Sequence, residues 1–126
     1  MEEVSNPSTH TTDFPRRGHI YDVSFDPVVG SEIGRRRPGL IVSNDLNNEY
    51  SQTVTVVPLT GQPGRRTYPF EVLIPHGIAG LTLDSRAKCD HVRTVDKSRL
   101  VVYRGALTHQ YMLEVENALK VHLNIR

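Results

Sequence analysis

Short apolar stretches broken by turn-forming residues run along the chain from about residue 19 to residue 94. Val54, Val56 and Pro58 alternate with Thr53, Thr55 and Val57, the period of a strand buried on one face and partly on the other. Runs of this kind set expected strands at 19–25, 39–43, 53–59, 70–74, 80–83 and 87–94. They are not interleaved with helical periods, so the pattern is that of an all-β core rather than of βαβ units. Towards the end of the chain the period changes. Met112, Leu113, Val115, Leu119, Val121 and Leu123 recur at spacings of three and four among Glu114, Glu116, Asn117 and Lys120. That is an amphipathic helix, with Thr108 at its N-cap, and it is expected to close one side of the sheet. The fold class expected is mainly β with a C-terminal α-helix.

Residues 1–15 are rich in Ser, Thr and Asn with almost nothing apolar to bury, and read as a flexible N-terminal extension. The folded domain is expected over 16–126. A chain of 126 residues suits one core of this size and no second domain. Between the first two expected strands lies Asp26-Pro27-Val28-Val29-Gly30-Ser31-Glu32-Ile33-Gly34-Arg35-Arg36-Arg37. Loops of that length on compact domains are often functional.

The formal charge is only +1, so composition alone does not announce a nucleic-acid binder. The basic residues do cluster, at Arg35-Arg36-Arg37, at Arg65-Arg66 and through Lys88, Arg93, Lys97 and Arg99. One cysteine, Cys89, leaves no intramolecular disulfide and is compatible with a reducing, cytoplasmic setting. No apolar run approaches the roughly 20 residues that span a bilayer, and no signal-peptide core stands at the N-terminus, so no membrane role is expected. The six histidines are scattered without ligand spacing, and no phosphate-cradling glycine motif precedes a helix. No metal and no cofactor is therefore expected. His19, at a strand start, reads as half-exposed rather than as a general base, and Cys89 as a buried, inert thiol.

Five segments, in order, resemble the MazF/PemK toxin family: Arg17-Gly18-His19-Ile20-Tyr21, Asp26-Pro27-Val28-Val29-Gly30-Ser31-Glu32, Arg37-Pro38-Gly39-Leu40-Ile41-Val42-Ser43-Asn44-Asp45, Tyr68-Pro69-Phe70-Glu71-Val72, and Asp90 through Leu100. The resemblance covers roughly residues 16–124. It implies a small, strongly curved β-sheet barrel, SH3-like as in the PemK, MazF and CcdB toxins, closed by a C-terminal helix. It also implies a toxin that cuts single-stranded RNA at a short motif without metal. The active form would be a homodimer, with RNA in a groove over or near the shared interface. A cognate antitoxin would compete for that groove with an acidic, otherwise disordered segment.

Carried onto this chain, the resemblance makes Arg37 and Thr60 the first catalytic candidates. Arg37 precedes Pro38, which favours an extended backbone there, and its fork suits bidentate phosphate contact. Thr60 closes Val57-Pro58-Leu59-Thr60 and can donate its hydroxyl to the scissile phosphate. In the PemK branch an Arg-Cys-Asp segment supplies an acidic base and a cationic stabiliser. Here the matching residues are Lys88-Cys89-Asp90, which makes Asp90 a candidate base and Lys88 a stabiliser, while the branch's histidine falls on Ser31. Ser31, Glu32, Arg35 and Arg36 would cover the RNA and set the motif, with Arg65 and Arg66 adding phosphate contacts. His19 and the long N-terminal extension depart from the family pattern. Two rival readings remain at this point: a toxin of the same fold that poisons DNA gyrase by protein contact, and a paralogue that binds RNA without cutting it.

Overall fold

The structure, a computed structural model, describes residues 14–61 and 66–126. Its elements are β1 (His19–Ser24), β2 (Arg36–Ile41), α1 (Asp45–Tyr50), β3 (Thr53–Thr60), β4 (Glu71–Ile74), β5 (Ser85–Lys88), β6 (Arg93–Asp96), β7 (Leu100–Ala106) and α2 (His109–Leu123). Two 3-10 turns, Cys89–His91 and Lys97–Arg99, flank β6. Every pairing is antiparallel, and the strands run β4-β5-β3-β2-β1-β7 with β6 also on β3. β4 and β7 stay as edges, so the expected barrel is realised as a curved sheet that does not close. Register shifts between β1 and β7, at Ile20/Tyr21 and Asp22/Val23, add local twist.

The β-branched run of β3 organises the molecule. One side of β3 pairs with β2, Gly39 opposite Pro58 and Ile41 opposite Val56. The other side pairs with two strands in succession, Thr53–Val56 with β6 and then Leu59 and Thr60 with β5. From Thr53 to Thr60 β3 advances seven residues while its partners, Asp96 back to Arg86, advance ten. The three extra residues are the 3-10 turn Cys89–His91, which lifts Asp90 out of the ladder beside Pro58. Proline has no N–H to give a neighbouring strand, so an interrupted ladder costs least there.

Alternation along the central strands divides the interior in two. Ile20, Leu40, Val57 and Leu59 pack with Ile74, Met112 and Val115 beneath α2, while Tyr21, Val23, Ile41, Val54 and Val56 pack with Phe25 and Val95 on the opposite face. Helix α2 buries Met112, Val115 and Ala118 and ends at Asn124, whose left-handed φ of 56° lets the Ile125 N–H reach the Lys120 carbonyl. Thr108 occupies the N-cap position, but its side chain makes no capping hydrogen bond. No helix among the described residues is long and apolar enough to cross a membrane.

Several expectations need correction. The segment 80–83 is a turn, not a strand: Gly77, Ala79 and Gly80 all have positive φ, and a Cβ on Gly80 would lie 2.3 Å from the Arg104 carbonyl. The expected strand 87–94 is broken by the Cys89–His91 turn, and 39–43 begins earlier, at Arg36. Strand β7 has no counterpart in the expectation because Val101 and Val102 are both exposed on an edge, so its hydrophobicity does not alternate. Helix α1 is polar and short. It is held by its cap, with Asn44 Oδ1 accepting from the Asn47 N–H at 2.8 Å, and by fully buried Asn48, whose amide donates to the Ser43 carbonyl.

Candidate active site

Arg37, Gly39 and Ile41 of β2 project to the face that carries Val56, Pro58 and Thr60 of β3, since Ile41 and Val56 share one core cluster. Extending the β2–β3 register by two residues sets Arg37 opposite Thr60. Both strands are anchored from below by apolar residues, so the pair stands on rigid sheet rather than on loop. The Arg37 Nε donates to the Gly34 carbonyl at 2.8 Å. That bond fixes the side chain, and among the described residues its terminal nitrogens have no partner, which suits a fork presented to an anion. Thr60 is buried, and its Oγ1 has no hydrogen-bond partner among the described residues. A buried hydroxyl without a partner is uncommon in a folded chain and fits a donor kept for a ligand.

Asp90 lies on the 3-10 turn beside the same face. It helps to line a cavity of about 300 Å³ with Glu32, Ile33, Pro58, His91, Val92 and Arg93. Its Oδ1 is buried and accepts no hydrogen bond among the described residues; the Lys88 ammonium stands 3.7 Å from it and the His91 ring 3.8 Å from Oδ2. Lys88 is committed elsewhere. It is ion-paired with Glu71, whose side chain is fully buried and also accepts the Tyr68 N–H at 3.2 Å. Between Lys88 and Asp90, Cys89 is buried against α2. Burial, then the neighbouring Asp90 and Glu71 carboxylates, pushes its thiol up to about 12, which makes it inert as a nucleophile.

The loop between β1 and β2 is tied down at both ends. The Phe25 N–H donates to the Arg35 carbonyl at 2.9 Å, and the Arg35 N–H donates to Asp26 Oδ1 at 2.9 Å. From the other side of the sheet, Arg93 donates to the Phe25 carbonyl at 3.2 Å and Arg99 to that of Ser24 at 2.9 Å and that of Asp26. Ser31 and Glu32 are exposed at the loop's far end, with Glu32 Oε1 accepting the Val29 N–H. Thus Glu32 and Asp90 line one cavity together with Pro58, which is two residues from Thr60 on the same strand. Arg36 goes the other way: it pairs with Asp22 at 3.5 Å, as Arg104 does, around a second cavity of about 360 Å³ that Arg37 and Pro38 also border. Arg35 is exposed at the loop's return with φ of 68°, and Arg65 lies outside the described residues. Arg66 is exposed, its guanidinium over the Tyr68 ring. His19 is half-buried, with its ring against Tyr103.

Two residues at this face escape the sequence reading. Arg86 is 5% exposed, directly opposite Thr60 in the β3–β5 ladder, with Nε donating to Thr67 Oγ1 at 3.4 Å. Glu71 is the buried counter-ion of Lys88. The signal available was Arg86 and Lys88 two apart in one short strand, which places both on Thr60's face. Among the described residues, no three His, Cys, Asp or Glu side chains gather as a metal site would require.

Comparison with known proteins shows the family and the fold. Residues 16–123 match the family model described as PemK-like, MazF-like toxin of type II toxin-antitoxin system. The endoribonuclease MazF9 of Mycobacterium tuberculosis is 35% identical over 115 residues, covering 87% of this chain and 97% of the relative. The endoribonuclease MazF of Staphylococcus saprophyticus is 38% identical over 110 residues, covering 87% and 92%. Among solved structures, MazF from Deinococcus radiodurans superposes with a TM-score of 0.77 at 28% identity, covering 90% of this chain and 99% of that one. A mycobacterial endoribonuclease in complex with its cognate antitoxin gives 0.71 at 29% identity, covering 89% and 97%. With a family match across nearly all of the folded region and two relatives above 30% identity, the chain belongs to the PemK-like, MazF-like toxins of type II toxin-antitoxin systems.

Proposed function

We propose that this toxin, an endoribonuclease by family, cuts single-stranded RNA at a short motif without a metal ion, through attack of the ribose 2′-OH on the adjacent phosphate. In that reaction the 2′-oxygen forms a bond to phosphorus as the bond to the 5′-oxygen breaks. The 2′-hydroxyl proton passes to a base and the departing 5′-oxygen takes up a proton. The products carry a 2′,3′-cyclic phosphate and a 5′-hydroxyl. The protein must hold the phosphate in line with the 2′-oxygen and stabilise charge on the pentacoordinate phosphorus.

The observation that carries this reading is the pair of Arg37, whose terminal nitrogens have no partner among the described residues, and Thr60, whose buried hydroxyl has none among them either, across from each other when the β2–β3 register is extended. Arg37 gives a bidentate contact to the equatorial phosphate oxygens, and Thr60 donates a further hydrogen bond. An arginine, charged throughout the working range, is a poor base. Asp90, which lines the neighbouring cavity and whose Oδ1 accepts no hydrogen bond among the described residues, is the better acceptor for the 2′-hydroxyl proton. Ser31 and Glu32 on the tethered loop read bases, while Arg35, Arg65 and Arg66 add phosphate contacts. Arg36 contributes less directly, being engaged with Asp22.

The working form in this reading is a cytoplasmic homodimer, restrained by an antitoxin whose acidic segment competes for the same cations, as the antitoxin-bound mycobacterial relative suggests. The test is to incubate the purified protein with a long unstructured RNA in excess EDTA and to map both ends at each cut. Cuts at one recurring short motif with cyclic phosphate ends support the reading. Intact RNA from a folded dimer overturns it and turns the search to protein targets such as gyrase.

A further inference from the structure

We propose that Arg66, Tyr68 and Phe70 form a stacking platform for a nucleobase of the bound RNA, next to the cleaved bond. This inference rests on the ribonuclease reading and extends it to a site outside the family's catalytic pair. The Tyr68 and Phe70 rings lie parallel, 3° apart with centroids at 5.5 Å, and the Arg66 guanidinium sits over the Tyr68 ring at 5.2 Å. These two contacts set the three side chains in a row, with Phe70 placed by the turn that the Glu71 N–H closes on the Tyr68 carbonyl at 2.9 Å. Tyr68 is 42% exposed and Arg66 is exposed, so the top of the row faces solvent.

Several contacts tie this row to the catalytic face. Thr67, between Arg66 and Tyr68, accepts the Arg86 Nε at 3.4 Å, and Arg86 is the direct ladder partner of Thr60. The Tyr68 N–H donates to Glu71, the counter-ion of Lys88, which holds the backbone of the row in place. The platform therefore stands at the Thr60 end of the sheet, on the β4–β5 side, while Arg37 stands on the β2 side. A strand of RNA whose phosphate is held between Arg37 and Thr60 meets the row with a neighbouring base.

The chemistry favours a base over a second protein segment. Unpaired bases stack on aromatic rings and on guanidinium planes alike, and this row offers both surfaces in series. The arginine adds a positive charge beside the rings, suited to a ligand with a π-face and an anionic backbone and unsuited to a purely apolar partner. Stacking of this kind tolerates every base, so the platform raises affinity and fixes the strand's direction without setting the motif.

The test uses an oligonucleotide copying a segment that the wild type cuts, with 2′-fluoro at every ribose so that no nucleophile remains. Its Kd is measured by fluorescence anisotropy over a range of salt. Tyr68→Leu keeps bulk but removes the ring and is expected to weaken binding roughly 5- to 150-fold, the range for loss of one stacked base. The salt slope should stay unchanged, because no phosphate contact is lost. Tyr68→Trp restores binding, and Arg66→Lys, which keeps charge but not the plane, weakens it. Melting curves confirm that each variant is folded; a Tyr68→Leu that fails to fold is replaced by Tyr68→Gln, which also removes the ring and should weaken binding over the same range. Folded Tyr68→Leu that binds as tightly as wild type overturns the platform alone. Wild type that binds no RNA overturns the ribonuclease reading and the platform with it.

Discussion

Replacing Lys88 by Met would remove the cation from a site built around a fully buried carboxylate. The Lys88 side chain is 13% exposed and that of Glu71 is 0% exposed, so little water reaches either charge. Breaking a buried pair from one side takes a close counter-charge from the group left behind, at a cost of about 3–5 kcal/mol. Glu71 keeps the Tyr68 N–H at 3.2 Å, which moves the expectation to the lower end of that range. Against the roughly 5–15 kcal/mol that holds a domain of this size together, this is a large share, and the melting temperature should fall by about 10–15 °C. Glu71→Gln in the same background removes the stranded charge and should recover more than half of the loss. The assay is urea unfolding of wild type, both single variants and the double variant, read as a cycle. Lys88→Met costing under about 1 kcal/mol, or a double variant no better than the worse single one, would refute the claim that Lys88 and Glu71 form a dry, mutually dependent pair.

Two further outcomes follow from the same structure. Burial pushes Cys89 and Tyr21 up to about 12 from ordinary values of 9.0 and 10.0, for Tyr21 with Tyr103 adding to it. The unfolded chain sheds these protons first, so it binds fewer protons between about pH 9 and 12, and stability falls as pH rises through that window. Cys89→Ala should flatten the lower part of that decline in pH-dependent unfolding, and the native thiol should resist alkylation at pH 8. Gly34→Ala places a Cβ 2.5 Å from Asp26 Oδ1, the acceptor for the Arg35 N–H, and so loosens the loop that carries Ser31 and Glu32. RNA cleavage by that variant should show KM raised about tenfold with little change in melting temperature, since a modest misplacement of positioning groups weakens catalysis without touching the core.

The central strands and the last helix were legible because each buries one periodic face: Val54 and Val56 in β3, Met112 and Val115 in α2. What escaped lacked that signal. Helix α1 is held by polar bonds around Asn44 and Asn48, and β7 exposes both Val101 and Val102 at a sheet edge. The break at Cys89–His91 was hidden because a three-residue insertion in a ladder leaves the apolar pattern nearly intact on either side. At the candidate site, Arg37, Thr60 and Asp90 were named through family resemblance, not from periodicity. The structure adds the physical features that the residues alone do not carry: the bond to Gly34 that aims Arg37, and the buried Thr60 and Asp90 oxygens that have no hydrogen-bond partner among the described residues. Lys88 and Arg36 looked equally available for RNA in the sequence. Their acidic partners, Glu71 and Asp22, are distant in the chain, and only the fold brings them together.

The most direct test of the account is single-turnover cleavage of one RNA carrying the mapped motif, in EDTA, by wild type and by Arg37→Ala. Both must share the same melting temperature. Loss of the charge that steadies the phosphorane should slow the chemical step by about 10²–10³-fold while substrate binding weakens far less. An Arg37→Ala enzyme that cuts at the wild-type rate would contradict the assignment of this face as the place where the phosphodiester is broken.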